Sequence, residues 1–481
     1  MTALARSQKH LVLSVTSLGA FMATLDASIT NIALPEIAAY YRAPLGVAEW
    51  VVMIYLLLIS SLLLTYGRLG DMYGHKPVCV GGLAIFTLGS ALNSLAPSIY
   101  FLIAARALQA VGAGLLMAVI QAIIADTFDA SERGRAIGIN SMFVSLGLAT
   151  GPTIGGLLVT NFGWQSIFSI NVPVGLVAIV WAWRVLPHRA GKPQRFDVPG
   201  ALAIFVSLAA FLLAMSHGQA WGWRSAAVLG LLILAAGALG LFLLVEGRSD
   251  HPMVRLELFR NRLFSAANLA ALLNYVTQYA VIFLMPFYLQ TILLLPANLA
   301  GVVMTAFPLA MMFTAPVSGA LSDRIGSRVL SSAGMGIVAA AAFVLSTLRA
   351  VPNLTVIVLG LSLVGLGNGL FLSPNNNAIM SSVPRSQIGV GSGTLATMRN
   401  LGQVLGIAFS GAIFSNRLTA HAAYLRAAGY DPKLLTNWSF TWALHDAYLA
   451  AMTVAILGMA ISMVRGVQSI RVPAVGPGLR S

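Results

Sequence analysis

Acidic residues and cysteine are scarce in this sequence. Only 14 of 481 residues are Asp or Glu, residues charged at either sign make up 9%, and the one cysteine is Cys79. An ordinary soluble domain carries roughly 25% charged residues, so a soluble fold of this composition would expose far too much apolar surface. A single cysteine excludes an internal disulfide and a thiolate metal cluster, and leaves helix packing as the role of Cys79. There is no P-loop, no pair of His or carboxylate residues within an apolar run for a metal, and no nucleophile motif. No cofactor, metal or enzyme activity is therefore expected.

Hydrophobic residues make up 58% of the chain, and apolar runs of about 20 residues recur from end to end. Each is long enough to cross a hydrocarbon core of roughly 30 Å. Reading them between polar breaks gives 14 spans: 11–34, 47–66, 78–96, 99–122, 136–159, 167–187, 198–216, 226–246, 263–290, 298–320, 330–350, 353–381, 390–415 and 446–464. The first run follows Arg6 and Lys9, as a signal peptide would, but it is long, contains Asp26 and lacks a small-residue cleavage site, so it reads as a retained span. The formal charge of +14 does not point to nucleic acid, because such a hydrophobic chain has no soluble basic face to offer.

Short cytoplasmic loops retain Lys and Arg. With both termini inside, 20 of the 28 Lys and Arg fall in cytoplasmic segments, 6 outside and 2 within spans. Removing one span would reverse every later loop and spoil that bias, so the span number is even. The expected organisation is an N-terminal six-helix bundle over 1–190, two inserted spans and linkers over 191–260, and a C-terminal six-helix bundle over 261–481. The only sizeable outer segment is 416–445, where Trp438 and Trp442 suit a membrane interface.

An internal repeat underlies this division. GRLGDMYGHK (67–76) matches GALSDRIGSR (319–328) at an offset of 252, pairing Gly67 with Gly319, Asp71 with Asp323, Gly74 with Gly326 and Lys76 with Arg328. Gly147, Gly151 and Gly156 are echoed by Gly402, Gly406 and Gly411 at an offset of 255. Parallel halves related by an axis along the membrane normal are a way of placing a substrate site at the midplane between rocking bundles.

GRLGDMYGHK also resembles the signature loop between spans 2 and 3 of the major facilitator superfamily. LDASITNIALP (25–35), RALQAVGAG (106–114), GLATGPTIGG (147–156), WQSIFSINVPVG (164–175), SPNNNAIMSSVP (373–384) and RNLGQVLGIA (399–408) resemble segments of its fourteen-span drug:H⁺ antiporters. His75 departs from the loop motif, which more often has Arg or Lys there. The resemblance implies an all-α major facilitator fold in the cell membrane, monomeric, that exports lipophilic, cationic drugs or dyes in exchange for protons. It also associates the acid of span 1 and the arginine of span 4 with proton coupling, and the span 5 glycines with antiport.

The residues themselves lead to the same places. Asp26 is the one acid well inside a span, where a carboxylate costs on the order of 3 kcal/mol on insertion scales. At 1.5 Å per residue it lies about 22 Å from the inner face, and Arg106, entering from the other side, lies roughly 20 Å from it. The pair is the expected proton-coupling site, a static ion pair being the alternative. Arg399 is the other charge within a span, with no evident partner. Gly67, Arg68, Asp71, Gly74, Lys76, Asp323, Arg324 and Arg328 are the expected cytoplasmic gate. Gly147, Gly151, Pro152, Gly155 and Gly156 permit close helix approach and a bend. Tyr55, Gln109, Gln121, Asn274, Tyr275, Gln278, Tyr279 and Phe287 are the candidate cavity lining. One membrane acid neutralises a dication poorly, so monovalent or neutral cargo is expected. Export of one amphipathic metabolite or lipid is the alternative, and a non-transporting membrane receptor or enzyme a remote one.

Overall fold

A computed structural model describes residues 6–187, 198–248, 256–349, 353–384 and 388–464. Every element among them is a helix. We number the long ones α1 (Arg6–Tyr40), α2 (Trp50–Tyr73), α3 (His75–Ser94), α4 (Ile99–Thr127), α5 (Ala130–Phe162), α6 (Asn171–Val185), α7 (Val198–Trp221), α8 (Ala226–Arg248), α9 (Arg262–Phe287), α10 (Ala306–Ile325), α11 (Ser327–Ser346), α12 (Leu354–Ser381), α13 (Ile388–Ala427) and α14 (Pro432–Val464). Short helices at Ser166–Ser169 and Ala297–Met304 lead into α6 and α10.

Among the described residues, twelve helices are long and apolar enough to cross a membrane, against the fourteen spans expected. The twelve do not include α2 and α13. Around Arg399, Asn400 and Gln403 and again around Asn416, Arg417 and His421, α13 is too polar to stand out by hydropathy.

The repeat is visible in the packing. In the first half α1 packs on α5, α3 on α4 and α2 on α4; in the second, α9 packs on α13, α11 on α12 and α10 on α12. Gly74 and Gly326 close the helices before them in nearly one conformation, φ 92° and 87° with ψ 145° and 147°. That is backbone a side chain rarely tolerates, so both turns keep glycine. The pair α7 and α8 pack on each other, and α7 docks against α2 and α13.

The halves meet at the end of the bundle where α1 finishes, here called the far end. Among the described residues, three hydrogen bonds join them there: Gln290 Nε2 to the Ile32 carbonyl (2.8 Å), Thr153 with Thr305 between their hydroxyls (2.6 Å), and the Asn298 amide to Thr160 Oγ1 (3.0 Å). Gly156 lies against the backbone of Ala297, and Gly301 against that of Pro152. Glycine on both sides brings main chain to main chain, with no side chain to hold the halves apart.

The segment 416–445 is a helical hairpin: α13 runs on to Ala427 and α14 starts at Pro432. Polarity alone does not end a helix; Gly429 (φ 76°) and Pro432 do. Trp442 sits among Trp438, Tyr424 and His421, with ring centroids 5.4–6.3 Å away, and ties the two helices together. Two further acids, Glu49 (1% exposed) and Glu246 (3%), lie at helix ends, where packing between helices buries them.

Candidate functional site

Asp26 and Arg106 touch. The structure puts Arg106 Nη1 2.5 Å from Asp26 Oδ2, and both side chains are fully buried. The other carboxylate oxygen, Oδ1, accepts from Gln109 Nε2 at 2.8 Å and from Asn171 Nδ2 at 2.9 Å. Three donors from α4 and α6 thus converge on one acid of α1, as a buried carboxylate requires if it is not to be left uncompensated.

The arginine is held as closely as the acid. Its Nε donates to the Val51 carbonyl (3.0 Å), Nη1 also to Gln109 Oε1 (2.7 Å), and its Cζ lies 4.3 Å from the Tyr55 ring centroid and 5.5 Å from that of Phe168. The Tyr55 hydroxyl donates to the Ala23 carbonyl one turn before Asp26. Gln109 in turn donates to Ser90 Oγ (2.7 Å) and accepts from Asn93 Nδ2 (2.7 Å), so α3 is tied in as well. A planar guanidinium suits this place, because it stacks on a ring while its edge donates.

Five helices of the first half therefore share one polar cluster. α5 bears on it from behind α1: Gly147 lies against Thr24, Gly151 against Ser28, and Gly155 against Ile29 and Ile32, while Ser28 Oγ donates to the Leu148 carbonyl (3.0 Å). A side chain at those glycines would push away the stretch of α1 that carries Asp26.

The eight residues read as cavity lining do not gather in one place. Tyr55 and Gln109 belong to the Asp26 cluster. Gln121 is exposed on α4, facing Asn140 at 3.4 Å. Asn274 is buried with its amide on Met335 Sδ (3.2 Å), and Tyr275 and Tyr279 pack on Gly402 and Gly406 of α13. Gln278 is buried, and Phe287 stands edge-on to Phe283. Of the gate residues, Gly74 and Gly326 make the turns described; Arg324 and Arg328 are exposed and Lys76 half-buried. Gly67 and the side chains of Arg68, Asp71 and Asp323 lie outside what is described. His75, the departure from the motif, has its Nδ1 3.1 Å from Asp126 Oδ2. Arg399 is half-buried with Nε 3.4 Å from Asn400 Oδ1.

Sequence reasoning missed Ser90, Asn93 and Asn171. Neutral polar residues in apolar helices commonly bond to their own backbone a turn back, as Thr16, Thr30 and Asn268 do here. Nothing in their spacing marks out the three that bond across helices.

The family model described as Major Facilitator Superfamily matches residues 16–407. The riboflavin transporter RibZ of Clostridioides difficile is 37% identical over 462 residues, covering 95% of this chain and 97% of that protein. The multidrug resistance protein Stp of Mycobacterium tuberculosis is 34% identical over 425 residues, covering 88% and 79%. Among solved structures, a bacterial homolog of the human lysosomal transporter Spinster, inward-facing and unoccupied, aligns with a TM-score of 0.71 at 16% identity over 96% of this chain and 98% of that one.

Proposed function

The chain belongs to the major facilitator superfamily and is a multi-pass membrane transporter of small molecules, and from that premise we propose that it is a monomeric, proton-coupled exporter of lipophilic drugs and dyes, monovalent cations among them. The far end is the outer side of the cell membrane, both termini are cytoplasmic, and the chain crosses fourteen times, α2 and α13 included. The observation that carries the coupling is the Asp26 cluster: an acid buried in the membrane domain, held by a cation and two amides, is a place where one proton changes the interactions of several helices.

The cycle follows from that geometry. Proton uptake by Asp26 cancels its pairing with Arg106 and leaves the guanidinium held by Val51, Gln109 and Tyr55. The arginine and the helices that carry it are then free to shift against α1. Because α1 and α5 meet the second half at the far end, movement there changes which side is open. Multidrug resistance relatives that align over most of the chain support drugs as the cargo. The test is ethidium efflux from proteoliposomes under an imposed pH gradient, which this reading requires to be driven by the gradient.

A second reading, export of one amphipathic metabolite, has its own support. Arg106 already neutralises Asp26, which leaves no free negative charge there for a cation, and a 37% identical relative is a riboflavin transporter. Gradient-driven movement of riboflavin with no movement of ethidium would select it.

A further inference from the structure

Glu49 is an acid that the coupling site does not use. It stands at the start of α2 at the far end, 1% exposed, makes no capping bond, and neither carboxylate oxygen has a hydrogen-bond partner among the described residues. Its Oε2 lies directly against Gly411 of α13, in the other half, with Phe283 of α9 behind. The acid is thus shut into the seam by which the halves close.

The repeat shows that packing alone does not call for an acid here. At an offset of 252, the position equivalent to Glu49 is Gly301, and the echo of Gly411 is Gly156. In that twin seam Gly301 lies against Pro152 and Gly156 against Ala297, backbone on backbone. One seam closes with glycine; its twin closes over a carboxyl group.

We propose that Glu49 is a second proton-binding site, which must be protonated for the far end to close. A carboxylate without partners is unfavourable in such surroundings, whereas the neutral acid is tolerated. Opening the seam exposes Glu49 to water and lets it ionise. Ionised, it resists burial against Gly411, so the closed state is favoured at low pH and loses ground as pH rises. Among the described residues no ion pair offsets this charge: of the titratable groups on the packed elements, His217 of α7 meets Ser216 Oγ, Tyr41 at the end of α1 donates to the Ala96 carbonyl, Arg417 and His421 of α13 are engaged by Asp446 of α14, and Arg42 pairs with no acid. Phe283 is the group α9 presents there. The inference rests on alternating access by this family and not on Asp26 as the coupling acid.

Leu95 and Thr347 are exposed, lie at the far end of opposite halves, and are themselves 252 residues apart. Spin labels placed there in a Cys79→Ala background, with the protein in lipid nanodiscs, report the seam by pulsed dipolar spectroscopy. The expected result is a short distance at low pH that gives way to a longer one as pH rises, the ratio changing by up to about tenfold per pH unit, the limit for one proton. Glu49→Gln should keep the short distance at every pH. A Glu49→Gln protein that still opens with pH overturns the proposal, and so does a wild type that ignores pH. A response lost in Asp26→Asn but kept in Glu49→Gln assigns it to the coupling site instead. If Glu49→Gln does not fold, Glu49→Asp shortens the reach to Gly411 and must move the midpoint; an unmoved midpoint overturns the proposal equally.

Discussion

Arg106 lies over the face of Tyr55, 4.3 Å from guanidinium carbon to ring centroid, while its edge donates to Asp26, Gln109 and the Val51 carbonyl. The arginine is thereby fixed on α2 and α4 whether or not Asp26 attracts it. Losing the charge on Asp26 need not disorder Arg106, so one proton can release α1 without dismantling the cluster.

Arg106→Lys should abolish gradient-driven efflux, at least tenfold down in proteoliposomes, because an ammonium reaches one acceptor and neither stacks nor forks. Arg106→Ala should cost about 3–5 kcal/mol of stability by leaving a buried carboxylate unpaired. The double variant Asp26→Asn, Arg106→Gln should recover much of that loss in thermal unfolding and none of the coupling. Equal destabilisation in the single and double variants would mean that the charge pair is not what holds the cluster.

Asn171→Ala removes one of the donors to Asp26 Oδ1, a loss of about 1.5–3 kcal/mol for a hydrogen bond to a charged group. With the carboxylate less well held, gradient-driven efflux should fall while dye binding persists. Unchanged efflux would show that Asn171 only packs.

Much of this site was legible in the sequence, and the reason is the helix itself. A rise of 1.5 Å per residue puts Asp26 and Arg106 at one depth before any contact is known, and the offset of 252 residues anticipates the paired turns at Gly74 and Gly326. What was not legible depends on rotation about each helix axis. That rotation decides that Gln109 turns to Asp26 while Gln121 faces out, that Asn171 reaches across to α1, and that Glu49 is buried under Gly411. Nor does composition show where a polar helix stops, as the extension of α13 to Ala427 illustrates.

Gly151→Val should abolish transport and lower the melting temperature, because its side chain would strike Ser28 on the back of α1 and push the helix that carries Asp26. Gly138→Ala, on the same helix with nothing within 4 Å of the added carbon, should leave transport intact and gain up to about 1 kcal/mol of stability. Equal effects of the two would remove the α1–α5 contact from the account.

Thr153 and Thr305 meet across the seam, so a Thr153→Cys, Thr305→Cys pair should cross-link on oxidation and hold the far end shut. Transport should fall to background and return on reduction, with buried Cys79 taking no part. Full activity in the cross-linked protein would mean that the seam does not open during transport.

The central claim is that Asp26 carries the coupling proton. The most direct measurement is ethidium efflux from proteoliposomes under an imposed pH gradient, with dye binding measured on the same preparations, for wild type and Asp26→Asn. The account predicts gradient-driven efflux by the wild type, and a variant that binds the dye but cannot be driven. A variant that pumps as the wild type does would contradict it.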